Sequence, residues 1–312
     1  MADIQSSKST AIFDPAKVFL GITPTGWSNS DDAFIDLKPP IPYQQILSEM
    51  ALTGFKGCQD SPKFPTDINL LKAELAMRGL TICEPWVGTY LTIGDGSDTR
   101  DIFKQQLEFM KSIGGSNVIV VAELANAVHQ QPIFPLTNKP ILDDEKWKLL
   151  ADGLNELGKL ATDNDMRLCY HPHVGTCVEN FEEIEKLMEL TDPDLLKLLL
   201  DTGHLYYADV DPLTVTKKYA KRIGHVHLKN IRRKNLLDSK QKKLSFLDSI
   251  KAEVFTVPGD TNGAIDFDII FKVLADADYN GWLVVEAEQD PNKANPLKYA
   301  KIAQAFLKNY MK

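Results

Sequence analysis

The sequence predicts an α/β fold, a single (β/α)8 barrel. Three observations carry that expectation. Short β-rich runs alternate with helical patterns along the whole chain, eight such units can be counted, and no linker rich in Pro, Gly or Ser separates two halves. Six or seven units would have pointed to an open, doubly wound sheet, whereas eight can close a ring. At 312 residues and 44% hydrophobic composition the chain can bury a large core. That length suits two ordinary domains or one barrel. The unbroken rhythm selects one catalytic domain over 17–312, preceded by a short flexible tail at 1–16.

The units follow in order. VFLGIT (18–23) precedes YQQILSEMALTG (43–54), whose apolar residues recur at helical intervals and whose Gly54 suits a helix stop. FKGC (55–58) precedes DINLLKAELAMRG (67–79), and LTICEPW (80–86) precedes the segment from Thr99 to Gly114. NVIVVAEL (117–124) is followed by a long loop and a helix from about Asp143 to Asp163. RLCYHPH (167–173) leads to NFEEIEKLMEL, and LLKLLLD (195–201) to DPLTVTKKYA. IGHVHLK (223–229) leads through a long insertion to DFDIIFKVLADA, and WLVVEAE (282–288) to a last helix over 296–310.

Bulk properties exclude several function classes. A formal charge of −8 and a pI near 5.3 disfavour a general nucleic-acid binder. No stretch approaches 18 apolar residues and the N-terminus lacks the apolar core of a signal peptide, so neither membrane nor secretion is expected. Four cysteines without CxxC spacing read as reduced thiols of a cytoplasmic protein. A small-molecule partner is the remaining expectation.

The polar residues concentrate at strand ends, where a barrel carries its chemistry. In LCYHPHVGT, period-2 geometry puts Cys169, His171 and His173 on one face. LLLDTGH places Asp201 at a strand tip with His204 just beyond, and GHVHLK aligns His225, His227 and Lys229. WLVVEAEQD aligns Val284, Glu286 and Glu288. His171, Asp201, His227 and Glu286 can therefore form a nitrogen–oxygen metal site, one ligand per strand, of a kind that suits Mn, Fe, Co or Zn dications. Each has a plainer reading alone: Asp201 as a helix N-cap, His227 as a structural histidine. Glu286 is harder to dismiss, because a charge inside a buried strand needs a partner.

LLLDTGH, GHVHLKN and WLVVEAEQDP resemble the sixth, seventh and eighth strand motifs of xylose-isomerase-like TIM barrels. GITPTGW, YHPHVGT, TVPGDTNGAIDF and VVEAEQDPNKANPLKYA resemble, more specifically, the inosose dehydratase family within that superfamily. The resemblance implies a divalent metal, Mn2+ or Co2+, with Asp201, His227 and Glu286 on ligand positions. Many superfamily members have glutamate where this chain has His171, so His173 stands as its substitute and Glu179 as a remote one. The implied reaction removes water from 2-keto-myo-inositol, giving a trihydroxycyclohexane-1,2-dione in inositol catabolism. A thiol cofactor such as glutathione and a homo-oligomeric state are left open.

That chemistry needs a base, an acid and groups to orient a polyhydroxy ring. His173 and His204 suit proton transfer near neutrality, and Lys229 suits neutralising an enolate or holding a hydroxyl. Glu84, Glu123 and Glu288 are candidates to accept sugar hydroxyls, and Trp27 and Trp86 to cover the ring's apolar face. Exposed loop aromatics and helix-capping acids are the alternative readings. The insertion 231–255 is longer than ordinary barrel loops and has two readings: a lid, with Gly259 and Gly263 as aids to its motion, or, more often for so basic a run, a solvated surface. Two other functions share these features: a ketose 3-epimerase or sugar isomerase using the same metal site, and a polyol-binding barrel without catalysis.

Overall fold

The computed structural model describes residues 11–29, 31 and 35–312. Its main sheet contains β1 (Val18–Ile22), β2 (Gly57–Gln59), β3 (Thr81–Glu84), β4 (Trp86–Thr89) and β5 (Val118–Glu123). It continues with β6 (Arg167–Tyr170), β7 (Leu196–Asp201) and β8 (Ile223–Leu228). Two short strands, β9 (Asn230–Ile231) and β10 (Phe255–Thr256), pair separately and antiparallel, and β11 (Gly281–Val285) completes the main sheet. All main-sheet pairings are parallel, in the order β3-β2-β1-β11-β8-β7-β6-β5-β4.

The two ends of that order, β3 and β4, are consecutive in the chain and separated only by Pro85. Proline has no N–H to donate to a ladder. The third predicted strand therefore breaks there, its first half pairing with β2 and its second half with β5. The two halves together act as one stave and close a ring of eight.

The predicted helices lie outside this ring, and polar caps set their starts. Side chains of Asp67, Asp143, Asn180, Asp211, Asp266 and Asn295 accept backbone N–H groups that the first helical turn leaves free. Gly54, Gly79 and Gly114 end helices in the left-handed conformation. No described helix is long and apolar enough to cross a membrane.

One expectation needs correction and another gains detail. Of the segment read as a flexible tail, residues 1–10 lie outside the described residues, but the chain is tied down from Ile12 onward. The N–H groups of Ile12 and Phe13 bond to the Tyr310 carbonyl, and the buried Phe13 ring meets Phe271 edge-on at 5.6 Å. Burying such a ring contributes about 2–3 kcal/mol, enough to outweigh the ordering of a few residues.

The insertion 231–255 is also more than a loop. It holds helices at Arg233–Lys242 and Phe246–Lys251, flanked by the β9–β10 ribbon. Leu236, Phe246, Ile250 and Phe255 give it an apolar core shared with Val174 and Tyr207 beside the barrel mouth. The glycines beyond it are closely packed. Gly259 has φ +85°, and a Cβ at Gly263 would lie 2.0 Å from Asn230 Nδ2.

Candidate active site

The barrel brings its charged residues together just below the C-terminal rim. Asp201 ends β7, and its two oxygens divide the two readings the sequence allowed. Oδ1 caps the short helix Thr202–Tyr207, accepting the N–H groups of Gly203 and His204 at 2.8 and 2.9 Å. Oδ2 is buried without a hydrogen-bond partner and lies 3.3 Å from His171 Nε2 and 3.7 Å from His227 Nδ1. Glu286 Oε2, just past β11, lies 2.9 Å from the same His227 nitrogen.

The opposite edge of the His227 ring is fixed. Nε2 lies 2.8 and 2.9 Å from the two oxygens of Glu84, so its proton is held there and Nδ1 is turned toward Asp201 and Glu286. A carboxylate behind an imidazole is the usual way a metal-binding histidine is oriented. His225 Nε2 lies 2.6 Å from Glu84 as well. Burial works against the Glu84 charge, but the imidazoles of His227 and His225 overcome it and hold its carboxyl well below the usual range. Burial likewise opposes charge on His227, yet Glu84 and Glu286 raise its pKa well above the ordinary value.

Lys229 Nζ threads between the carboxylates, at 3.4 Å from Asp201, 3.0 Å from Glu286 and 2.7 Å from Glu288, and donates to His204 Nε2 at 2.7 Å. Its pKa is raised, since Asp201, Glu286 and Glu288 outweigh burial. Glu288 behaves oppositely: burial pushes it up to about 7. Buried negative charge thus exceeds what Lys229 and a protonated His227 supply while Glu84, Asp201, Glu286 and Glu288 are ionised. Ligand atoms of His171, Asp201, His204 and Glu286 all lie within 4.8 Å of one another. An orphaned carboxylate oxygen, a nitrogen–oxygen donor set and an excess of buried negative charge fit a divalent cation.

Two histidines beside the cluster have their tautomers fixed by neighbours. Trp86 Nε1–H donates to His171 Nδ1 at 3.1 Å, so the neutral His171 ring carries its proton on Nε2, facing Asp201. His173 Nδ1 lies 2.8 Å from the Val174 carbonyl, which can only accept, so its proton is on Nδ1 and Nε2 keeps a lone pair. Burial, then His129, His171 and Lys229, lower the His173 pKa well below the ordinary value, so this ring is neutral at pH 7. The His173 backbone is set by a tight turn, in which Gly175 N–H donates to Glu179 at 2.7 Å and Thr176 Oγ1 donates to the His173 carbonyl.

A cavity of about 250 Å³ opens onto this arrangement, with Trp86, His171, His173, Glu286 and Glu288 on one side. Its other walls are Thr25, Gln59, Asp60 and Ser61, then Gln106, His129 and Gln130. Its polar lining suits a small polyol.

Several residues assigned to substrate or proton transfer do not reach this wall. Trp27 is buried with its Nε1–H on Glu49, and Glu84 is committed to His225, His227 and Gln59. Glu179 belongs to the turn under His173, away from the cation cluster. His204 and Lys229 lie behind Glu288, the His204 ring tilted against His173 with ring centroids 3.8 Å apart. Glu123 clamps the segment after β4, accepting from Thr89 Oγ1, Leu91 N, Thr92 N and Thr92 Oγ1. Glu123→Ala is therefore expected to cost about 3 kcal/mol or more in denaturant unfolding, because it leaves buried donors unpaired. The folded fraction should keep near-normal turnover, and a stable but inactive variant would return Glu123 to the site.

Sequence reading missed the far wall. His129 sits in the long loop after β5, its Nε2 3.7 Å from Asp31 and its ring edge-on to His173 at 5.0 Å. Its histidine identity was the available signal. Gln59, Asp60, Ser61 and Gln106 carried none, since polar residues in loops and helices are common.

The chain belongs to the xylose isomerase-like TIM barrel family, whose sequence profile matches residues 47–310. Within the family its curated relatives include inosose dehydratases. It is 46% identical over 298 residues to Inosose dehydratase of Clostridium botulinum (strain Eklund 17B / Type B), covering 95% of this chain and 98% of that protein. It is 45% identical over 298 residues to Inosose dehydratase of Geobacillus thermodenitrificans (strain NG80-2), with the same coverage. Among solved structures, a D-allulose 3-epimerase from Methylomonas sp. superposes with a TM-score of 0.67 at 16% identity, over 95% of this chain and 98% of that one. A probable 3-DHS dehydratase from Bacillus anthracis gives 0.66 at 14%, over 93% and 98%. These two likenesses establish the shared barrel.

Proposed function

We propose that this enzyme removes water from 2-keto-myo-inositol, giving a trihydroxycyclohexane-1,2-dione, as a cytoplasmic step of inositol catabolism. One observation carries the reading. A neutral histidine with a free lone pair and a carboxylate of a cation-holding cluster face the same small polar cavity. The curated relatives, named inosose dehydratase and 44–46% identical across nearly the whole chain, support the substrate.

The hard step is loss of the proton beside the ketone. Asp201, His227 and Glu286, with His171 next to them, would hold Mn2+ or Co2+, and such an ion supplies positive charge for the enolate that forms. His173 Nε2 receives the proton, while the Val174 carbonyl holds the ring in the receptive tautomer and steadies the imidazolium that results. His204, packed against His173, keeps that ring in place and is itself fixed by Lys229. Trp86 offers an apolar wall to the ring, and Gln59, Ser61 and Gln130 offer donors and acceptors to its hydroxyls. Loss of the β-hydroxyl leaves an enol, which tautomerises to the dione.

Mass spectrometry of the metal-supplemented enzyme with 2-keto-myo-inositol tests the reading. The expected product is lighter than substrate by one water. A product of unchanged mass would make the enzyme an epimerase or isomerase, and binding without any product would make it a polyol-binding barrel.

A further inference from the structure

The reaction needs an acid as well as a base, because hydroxide is a poor leaving group. The base candidate, His173, follows β6, and the cation cluster spans the ends of β6, β7, β8 and β11. In a ring of eight staves β2 is four staves from β7 in either direction, so the residues just past β2 face the cluster across the mouth. Asp60 is the second half of that Gln59–Asp60 rim and lines the cavity. Its own N–H is tied to the Glu84 carbonyl at 2.9 Å, which fixes where its side chain starts.

Three features set Asp60 apart from the other carboxyls at the mouth. It forms no ion pair with any described residue, whereas Asp201, Glu286 and Glu288 all lie within 3.4 Å of Lys229. It caps no helix, and the Ser61 backbone N–H is the one group that stabilises its charge. It shares its wall of the cavity with neutral groups, Gln59, Ser61 and Pro62.

We infer that Asp60 is the general acid that protonates the departing hydroxyl of the substrate. This rests on the dehydratase reading above. Burial pushes the Asp60 carboxyl up to about 6, which keeps a protonated fraction available near neutrality. The step balances. The α C–H bond breaks with its proton going to His173 Nε2, and its electron pair becomes the enolate. The enolate's electrons then form the C=C bond as the β C–O bond breaks. The departing oxygen takes the Asp60 proton and leaves as water, so Asp60 ends as carboxylate and His173 as imidazolium. Transfer of the His173 proton to Asp60 through solvent resets both.

Asp60→Asn removes the transferable proton and keeps the side chain's size and polarity. In deuterated solvent with 2-keto-myo-inositol, the variant should exchange the substrate's α-proton at or above the wild-type rate, because the enolate still forms and can only return. Dehydration should fall about 10²–10⁴-fold. Three outcomes would overturn the assignment: dehydration within a few-fold of wild type, exchange and dehydration falling together, or a loss confined to KM. The first removes any acid role, the second makes Asp60 a residue that shapes the cavity, and the third makes it a hydroxyl-binding group. Wild-type enzyme that forms no dione at all would instead overturn the dehydratase reading, and this assignment with it.

Discussion

Glu286→Gln is expected to abolish dehydration and strip the enzyme of its divalent ion. The amide occupies the same space but brings no negative charge and only one oxygen. It also places an N–H group among His227 Nδ1 and Lys229 Nζ, both of which lie within 3.0 Å of Glu286 Oε2. Ion affinity should fall by more than the 10–100-fold typical of losing an outer-shell partner. Chelation of the wild type should remove activity in the same way, and Mn2+ or Co2+ should restore it. The pH dependence has a definite sign. His227 holds its proton well above the ordinary imidazole range until an ion displaces it. Ion binding therefore releases a proton, and affinity should strengthen about tenfold per pH unit through the neutral range. Metal analysis after gel filtration, with titrations at several pH values, checks both. Unchanged metal content in the variant would remove Glu286 from the site.

The ring of staves was legible because each stave is a short apolar run bounded by helix caps, and those signals are local. What the runs could not reveal was the break at Pro85, since a proline near a strand end reads equally as a terminus. The cluster at the mouth was legible for the same reason: period-2 geometry aligns His225 with His227 on β8, and the apolar run of β11 leads straight into Glu286 and Glu288. Its second layer was not, because nothing local says that Glu84 will meet two histidines 141 and 143 positions away. Glu84 and Glu123 look alike as strand-end acids. One orients a histidine and the other ties a turn, a difference made wholly by what the neighbouring staves bring. The insertion 231–255 hid its fold differently. Its Lys-rich surface masks the widely spaced Leu236, Phe246, Ile250 and Phe255 that form its core.

His173→Asn is expected to separate proton abstraction from ion binding. The asparagine keeps a polar side chain but loses the imidazole lone pair that the Val174 contact directs to Nε2. Since His173 contributes no bond to Asp201, His227 or Glu286, ion content should be unchanged. Exchange of the α-proton and formation of the dione should both fall about 10²–10⁴-fold, in contrast to Asp60→Asn, where exchange survives. Stability should drop modestly, because His173 packs against His204 and Phe246, at 3.8 and 5.3 Å between ring centroids. Order of events makes the pair informative. If the proton must leave before the hydroxyl, adding Asp60→Asn to His173→Asn should cost far less than the product of the single losses. Multiplicative losses would mean that both residues act in one concerted step. Loss of the ion from His173→Asn would reverse the roles of the two strand-6 histidines, with His173 as ligand. In that case His171, whose Nδ1 already accepts the Trp86 N–H, would be left to orient Asp201 alone.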